Sequence, residues 1–214
     1  MAIASGSRHS MGFIKEAAFG VTPNNPAFKA LRHVSTTLGL SKESLQSNEL
    51  RSDRQIADFR HGNKAVSGDI GVELSYGSFD DLLEAVLGGT WAADTPSAGI
   101  AQLKAGVVRR SFSVERHFED ITQYLRFTGV NFSTLSLSVA PNAMVTGTFG
   151  MMGKGMTTSA TALSGSTYPA ATTTSPFDSF TGTINENNSA IAIITDLSIN
   201  LDNGMSNTYV VGSS

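Results

Sequence analysis

The sequence predicts a β-rich chain with a single helix, and three observations predict it. Apolar and polar residues alternate with period two in several runs of the 214-residue chain, the mark of half-buried strands. One stretch carries an apolar stripe at helical spacing. The connections are rich in Gly, Ser, Thr and Asn, and only 15 % of residues are charged, against roughly 25 % in typical domains. Hydrophobic residues make up 40 %, enough for a substantial core.

The elements follow in order. Residues 1–12 are small and polar and are expected to be mobile. Residues 13–40 read as extended chain with turns, with a breaker at Thr22-Pro23-Asn24-Asn25-Pro26. Residues 41–63 mix Lys42, Glu43, Arg51, Asp53, Arg54, Asp58, Arg60 and His61 with Leu45, Leu50, Ile56 and Phe59, without a clean period. They read either as a solvated loop or short hairpin, or as a projecting arm that docks on another protein. Charges would then set register and apolar anchors supply energy. Val66, Ile70, Val72, Leu74 and Tyr76 alternate with Ser67, Asp69, Gly71, Glu73 and Ser75, a strand.

The helix comes next. Phe79, Leu82, Leu83, Val86 and Leu87 form one stripe, with Ser78 and Asp81 as a capping pair and Gly88-Gly89 as the stop. Trp91 is expected to pack rather than to bind. Residues 92–106 read as a loop. Phe112 and Val114 alternate with Ser113 and Glu115. Tyr124–Phe127 begins a strand that ends near Gly129. Leu135, Leu137 and Val139 form the cleanest strand, Pro141-Asn142 a turn, and Val145, Gly147, Phe149 and Met151 the return, together an antiparallel meander. Residues 153–189 are rich in Thr, Ser, Ala and Gly and predict a long loop or flexible arm. Leu197, Ile199 and Leu201 mark a last strand before the turn signal Asp202-Asn203-Gly204. Tyr209-Val210-Val211 is expected to start its partner. A hairpin begun so close to Ser214 suggests a piece of a longer natural chain.

Composition excludes several chemistries. There is no cysteine, so disulfides and thiolate chemistry are out. The N-terminus has no apolar signal core, and the longest apolar run, Ala190–Ile194, is too short to span a bilayer. The protein is expected to be made in a cytoplasm and to stay soluble until assembly. Net charge is −3, with no polybasic patch for gripping nucleic acid. Of 15 basic and 18 acidic residues, 127–214 hold only Lys154 against Asp178, Glu186, Asp196 and Asp202.

No catalytic motif stands. There is no G-x-S-x-G elbow. The four histidines, His9, His33, His61 and His117, are scattered, without metal-ligand spacing. His117-Phe118-Glu119-Asp120 holds ligand types that need not converge. Gly150–Gly155 lacks the order of a P-loop. Asp196, Asn200 and Asp202 do not match a calcium loop. Neither an enzyme nor a cofactor-binding protein is expected; an assembly subunit is.

Taken as an ordered series, these residues resemble a known family. Glu16-Ala-Ala-Phe19-Gly20-Val21-Thr22-Pro23, Leu31-Arg32, Asn48–Arg54, Gly68-Asp69-Ile70, Glu73–Tyr76, Phe79–Ala85, Ser113-Val114-Glu115 and the Gly129–Ser136 stretch are similar to tail tube (major tail) proteins of long-tailed, non-contractile bacteriophages. The resemblance spans about residues 13–153 and resumes near 191–204. It implies a single domain over 1–214: two packed antiparallel sheets, a sandwich or barrel, flanked by one helix. It also implies hexameric rings that stack through an extended loop. The tube would enclose a tape measure protein, meet tail terminator and tail tip proteins, and conduct viral DNA. Residues 41–63 match the stacking loop, so Leu50, Arg51, Asp53, Arg54, Phe59 and Arg60 are its contact candidates. A channel for DNA should repel phosphate, which makes Asp69, Glu73 and Glu115 the candidates for its lining. Two other classes remain open: a β-sandwich binding module for glycans or receptors, and a hydrolase with a dispersed site.

Overall fold

The computed structural model describes residues 6–49, 52, 58–183, 185–186, 189–190 and 194–210. After a 3₁₀ turn at Gly6–Arg8, the elements run β1 (His9–Lys15), β2 (Lys29–Ala30), β3 (Ser35–Thr36), β4 (Gly39–Gln46), β5 (Phe59–Glu73), α1 (Asp80–Leu87), β6 (Phe112–Phe118), β7 (Gln123–Val139), β8 (Thr146–Gly153), β9 (Gly155–Ser159), β10 (Asn185–Glu186), β11 (Ser189–Ala190) and β12 (Leu197–Asp202). Apart from the short β10–β11 pair, the named strands form one antiparallel ladder with two wings. One wing is β2-β1-β6-β7-β9; the other is β12-β7-β8-β5, with β3 and β4 beyond β5.

The two wings share β7, which therefore replaces the two separate strands expected on either side of Gly129. Gly129 does not stop the strand. It bends it, with a positive φ of 66° that glycine adopts without steric cost. A bulge between Phe132 and Thr134 adds a second bend. The bends fold the wings face to face. Phe13, Phe112, Phe132, Phe149 and Phe79 then form a run of ring contacts through the core, with centroids 5.4–6.2 Å apart. Val66, Ile70, Val72, Val114, Phe127 and Leu135 fill the space around them.

The helix forms where its apolar stripe lies, burying Leu82, Ala85 and Val86, and it ends at Gly88 in a left-handed conformation. The expected capping pair is corrected. No side chain caps the first turn; Ser78 bonds instead to Ser75 and Thr172, and Asp81 pairs with Lys29. Trp91 packs back on the helix, donating its indole N–H to the Asp80 carbonyl at 3.2 Å.

Three expectations about loops change. Residues 9–12 are not a loose terminus, since they belong to β1 and Met11 is buried. The described residues of 153–189 form a held loop rather than a flexible arm. After β9, the backbone bonds to 26–28, to Leu74 and to the 143–145 segment, while the Arg32 guanidinium donates to the Thr174 carbonyl at 2.6 Å. The composition forbids a core but allows a strap held by main-chain hydrogen bonds. Tyr209 and Val210 form no strand, and Val211 lies outside the described residues.

Candidate assembly surfaces

The outer face of the second wing is built by register. Three cross-strand rows run over β5, β8, β7 and β12: Asp69-Gly150-Thr134-Asp202, Gly71-Thr148-Ser136-Asn200 and Glu73-Thr146-Ser138-Ser198. These positions alternate with the buried Ile70, Val72, Leu135 and Phe149, so every residue in the rows faces away from the core. Asp69, Thr146, Thr148, Ser136, Ser138, Asn200 and Asp202 are exposed. Gly150 leaves room for its neighbour: a Cβ there would lie 2.1 Å from Thr134 Oγ1, and that hydroxyl would have to turn away. Ser136 donates to Asn200 Oδ1 at 2.6 Å. The rows hold three carboxylates and no cation, so they present a hydrated surface of one charge sign. Asp69 and Glu73 thus lie where the alternation of their strand places them. Asp202 joins them, although no sequence signal shows that β12 pairs with β7.

Glu115 does not join them, and its expected place on a channel lining is corrected. It is 1 % exposed. Arg126, its cross-strand partner, donates to Glu115 Oε2 through NH2 and Nε at 2.6 and 3.0 Å, and Tyr168 donates to Oε1 at 2.5 Å. Two remote segments cover this face of the first wing. Phe28 lies on Gly12, and its ring stacks on Tyr168 at 5.6 Å. The turn after β1 covers the rest. There, Glu16 accepts hydrogen bonds from Ser113 Oγ and from the Gly20 and Gly129 amides, at 2.8, 2.8 and 2.9 Å.

A second surface is the β4–β5 hairpin. Its strands pair from Gly39↔Ser67 to Gln46↔Phe59, and residues 41–46 and 59–61 are exposed. Residues 41–63 therefore hold a hairpin, and of the arm candidates Phe59 and Arg60 lie on its outer end. Leu50, Arg51, Asp53 and Arg54 fall outside the described residues. Phe59 is 60 % exposed beside His61, and Leu45 is 59 % exposed on the other face. Arg60 pairs with Asp58 at 2.6 Å. Lys42 stands directly opposite Lys64, and like charges so placed destabilise a free hairpin.

Neither surface encloses a cleft, and among the described residues no group of three or more His, Asp or Glu could hold a metal ion. Comparison with known proteins gives the identity. A family model described as "Phage tail tube protein" matches residues 6–214. No curated protein matches the sequence. Among solved structures, the chain is similar to one from the cap of the anti-feeding prophage (10 % identity, 74 % of this chain and 92 % of that one, TM-score 0.46). It is also similar to one from the sheath–tube complex of an extracellular contractile injection system (6 %, 74 % and 93 %, 0.47), and to one from the tail of a GTA particle (11 %, 75 % and 100 %, 0.46). At such identities and scores these likenesses carry no weight of their own, and the assignment rests on the family match. The chain belongs to the phage tail tube protein family: it is a structural component of a virion's tail, not an enzyme.

Proposed function

We propose that the subunit forms stacked rings, hexameric as the family resemblance implies, with the three-row face of β5, β8, β7 and β12 turned to the channel. The observation that carries this is the composition of that face. Asp69, Glu73 and Asp202 stand among small hydroxyl and amide side chains, with no cation in the rows. Such a wall repels phosphate and offers DNA no counterion-releasing grip. The channel holds a tape measure protein before it conducts DNA in a non-contractile tail, and the tube ends meet terminator and tip proteins. Rings assemble in the host cytoplasm. Neighbouring rings join through the β4–β5 hairpin. Phe59 and Leu45 supply apolar anchors, and the Lys42–Lys64 pair favours an acidic partner.

Electron microscopy of the purified protein tests this: hollow rings and tubes are expected. A stable monomer at high concentration overturns the proposal, and saturable glycan binding by that monomer would favour a binding module instead. Phe59→Asp is expected to leave rings but no tubes, with unchanged circular dichroism. If that variant unfolds, Phe59 is needed to hold the fold itself and the arm reading fails.

A further inference from the structure

Two of the scattered histidines meet. His9 opens β1, and His33 lies in the β2–β3 connection. The Arg116 Nε–H donates to His9 Nε2 at 3.1 Å. A guanidinium only donates, so His9 Nε2 must be bare and the His9 proton must sit on Nδ1. His9 Nδ1 is 3.0 Å from His33 Nε2, which must then accept. The His33 proton is left on Nδ1, 3.2 Å from the Leu31 carbonyl oxygen, an acceptor only. The donor-only end and the acceptor-only end thus fix every bond between them. The relay closes only when both imidazoles are neutral. One more proton on His9 points N–H at N–H and sets two cations side by side; one more on His33 faces the His9 N–H.

The relay also holds the root of the hairpin. Arg116 donates through NH1 to the carbonyl of Leu38, a fully buried residue just before β4. We propose that the Arg116–His9–His33–Leu31 relay is an acid-sensitive clamp that fixes the root of the β4–β5 hairpin while both histidines are neutral and loosens it when His9 is protonated. Burial, then the Arg116 charge, then His33 and His117, hold His9 down at about 4, from its ordinary 6.5. The groups facing it are Arg116 and His117 on β6 and His33 on the connection, with the exposed Arg8–Glu119 pair beside them at 3.6 Å. The sign follows: the neutral form is the folded one, so the clamp is whole above about pH 6.5 and is lost as pH falls through about 4. The clamp does not rest on the function proposed above. The clamp itself can be read in monomers, rings or tubes.

Exchange of imidazole Cε1–H for deuterium, read by mass spectrometry on the full-length protein, gives the His9 midpoint whatever the assembly state. A midpoint near 4 is expected; one near 6.5 overturns the proposal. Backbone exchange in peptides covering 39–46 and 59–66, corrected for intrinsic rate, should rise about tenfold between pH 7 and pH 4. That is well under the full effect of the shift because the site is partly solvated. In His9→Gln the acid response should largely vanish, and in His33→Gln it should weaken. A pH-independent hairpin, or a full acid response in His9→Gln, overturns the clamp.

Discussion

Two stretches of the same ladder carry the same kind of pattern and end in opposite environments. In β5, Asp69 and Glu73 alternate with Ile70 and Val72; in β6, Ser113 and Glu115 alternate with Phe112 and Val114. Both sets of polar residues turn away from the core. Asp69 stays in water, while Glu115 and Ser113 are buried. The difference is not in the strands. It lies in the turn at Glu16–Val21 and in the Phe28–Tyr168 stack, which cover the first wing and leave the second bare. Alternation tells which side of a sheet a residue faces. Whether that side meets solvent is decided by segments far away in the chain.

The contrast can be broken at Glu115. Replacing it with Ala leaves Arg126 in place without its partner, in a site where the guanidinium side chain is only 12 % exposed. The loss should be about 3–5 kcal/mol, read by denaturant unfolding. A loss below about 1 kcal/mol would mean the pair is solvated and the two wings are alike.

Glu16→Ala should cost less, about 2–3 kcal/mol, because Ser113 can turn to Thr22 Oγ1, 2.7 Å away, while the Gly20 and Gly129 amides lose their acceptor. A smaller loss still, about 1 kcal/mol, is expected for Tyr168→Phe, since the ring keeps its stack on Phe28. Here pH adds a sharper test. Burial, then the hydrogen bond to Glu115, push the Tyr168 hydroxyl up to about 12, from an ordinary 10. A raised value favours the protonated form in the folded state. That stability is whole below pH 10 and is lost as pH rises through 12. The thermal midpoint of the native protein should therefore fall more steeply above pH 10 than that of Tyr168→Phe. Parallel curves would detach the tyrosine from Glu115.

Much of the fold was legible because it follows local periodicity. The runs at 66–72, 134–139 and 146–151 and the helix at 79–87 stand where their apolar faces require. What was not legible depends on tertiary partners. Gly129 reads as a strand end in sequence, yet it bends a continuous β7 because two wings must share one strand. Ser78 reads as a cap, yet the strap supplies it with Thr172. The strap itself is rich in Thr and Ala and looks free, but its backbone bonds cannot be seen in side-chain pattern. The same division holds at the site. Asp69 and Glu73 followed from alternation. Glu115 alternates like Asp69 but is covered by residues 28 and 168, and Asp202 enters the row only through the pairing of β12 with β7, which leaves no local mark. His9 and His33, 24 positions apart, meet only after folding.

The smallest expected effect on stability carries the most about function. Asp69→Asn with Glu73→Gln keeps size and removes the charge on an open face, where such changes stay within about 0.5 kcal/mol. Unfolding curves should therefore nearly superimpose on the native ones. Phage particles assembled with this doubly substituted subunit should still form tails of normal length by electron microscopy. They should differ in DNA ejection, which should slow and become less sensitive to salt as the wall loses charge that repels phosphate. Glu115→Gln serves as the opposing control: it should lower stability, and any tubes it forms should eject DNA as the native ones do. If the surface pair changes unfolding and leaves ejection untouched, the bare face is not the channel wall, and its acids belong to an interface between subunits instead.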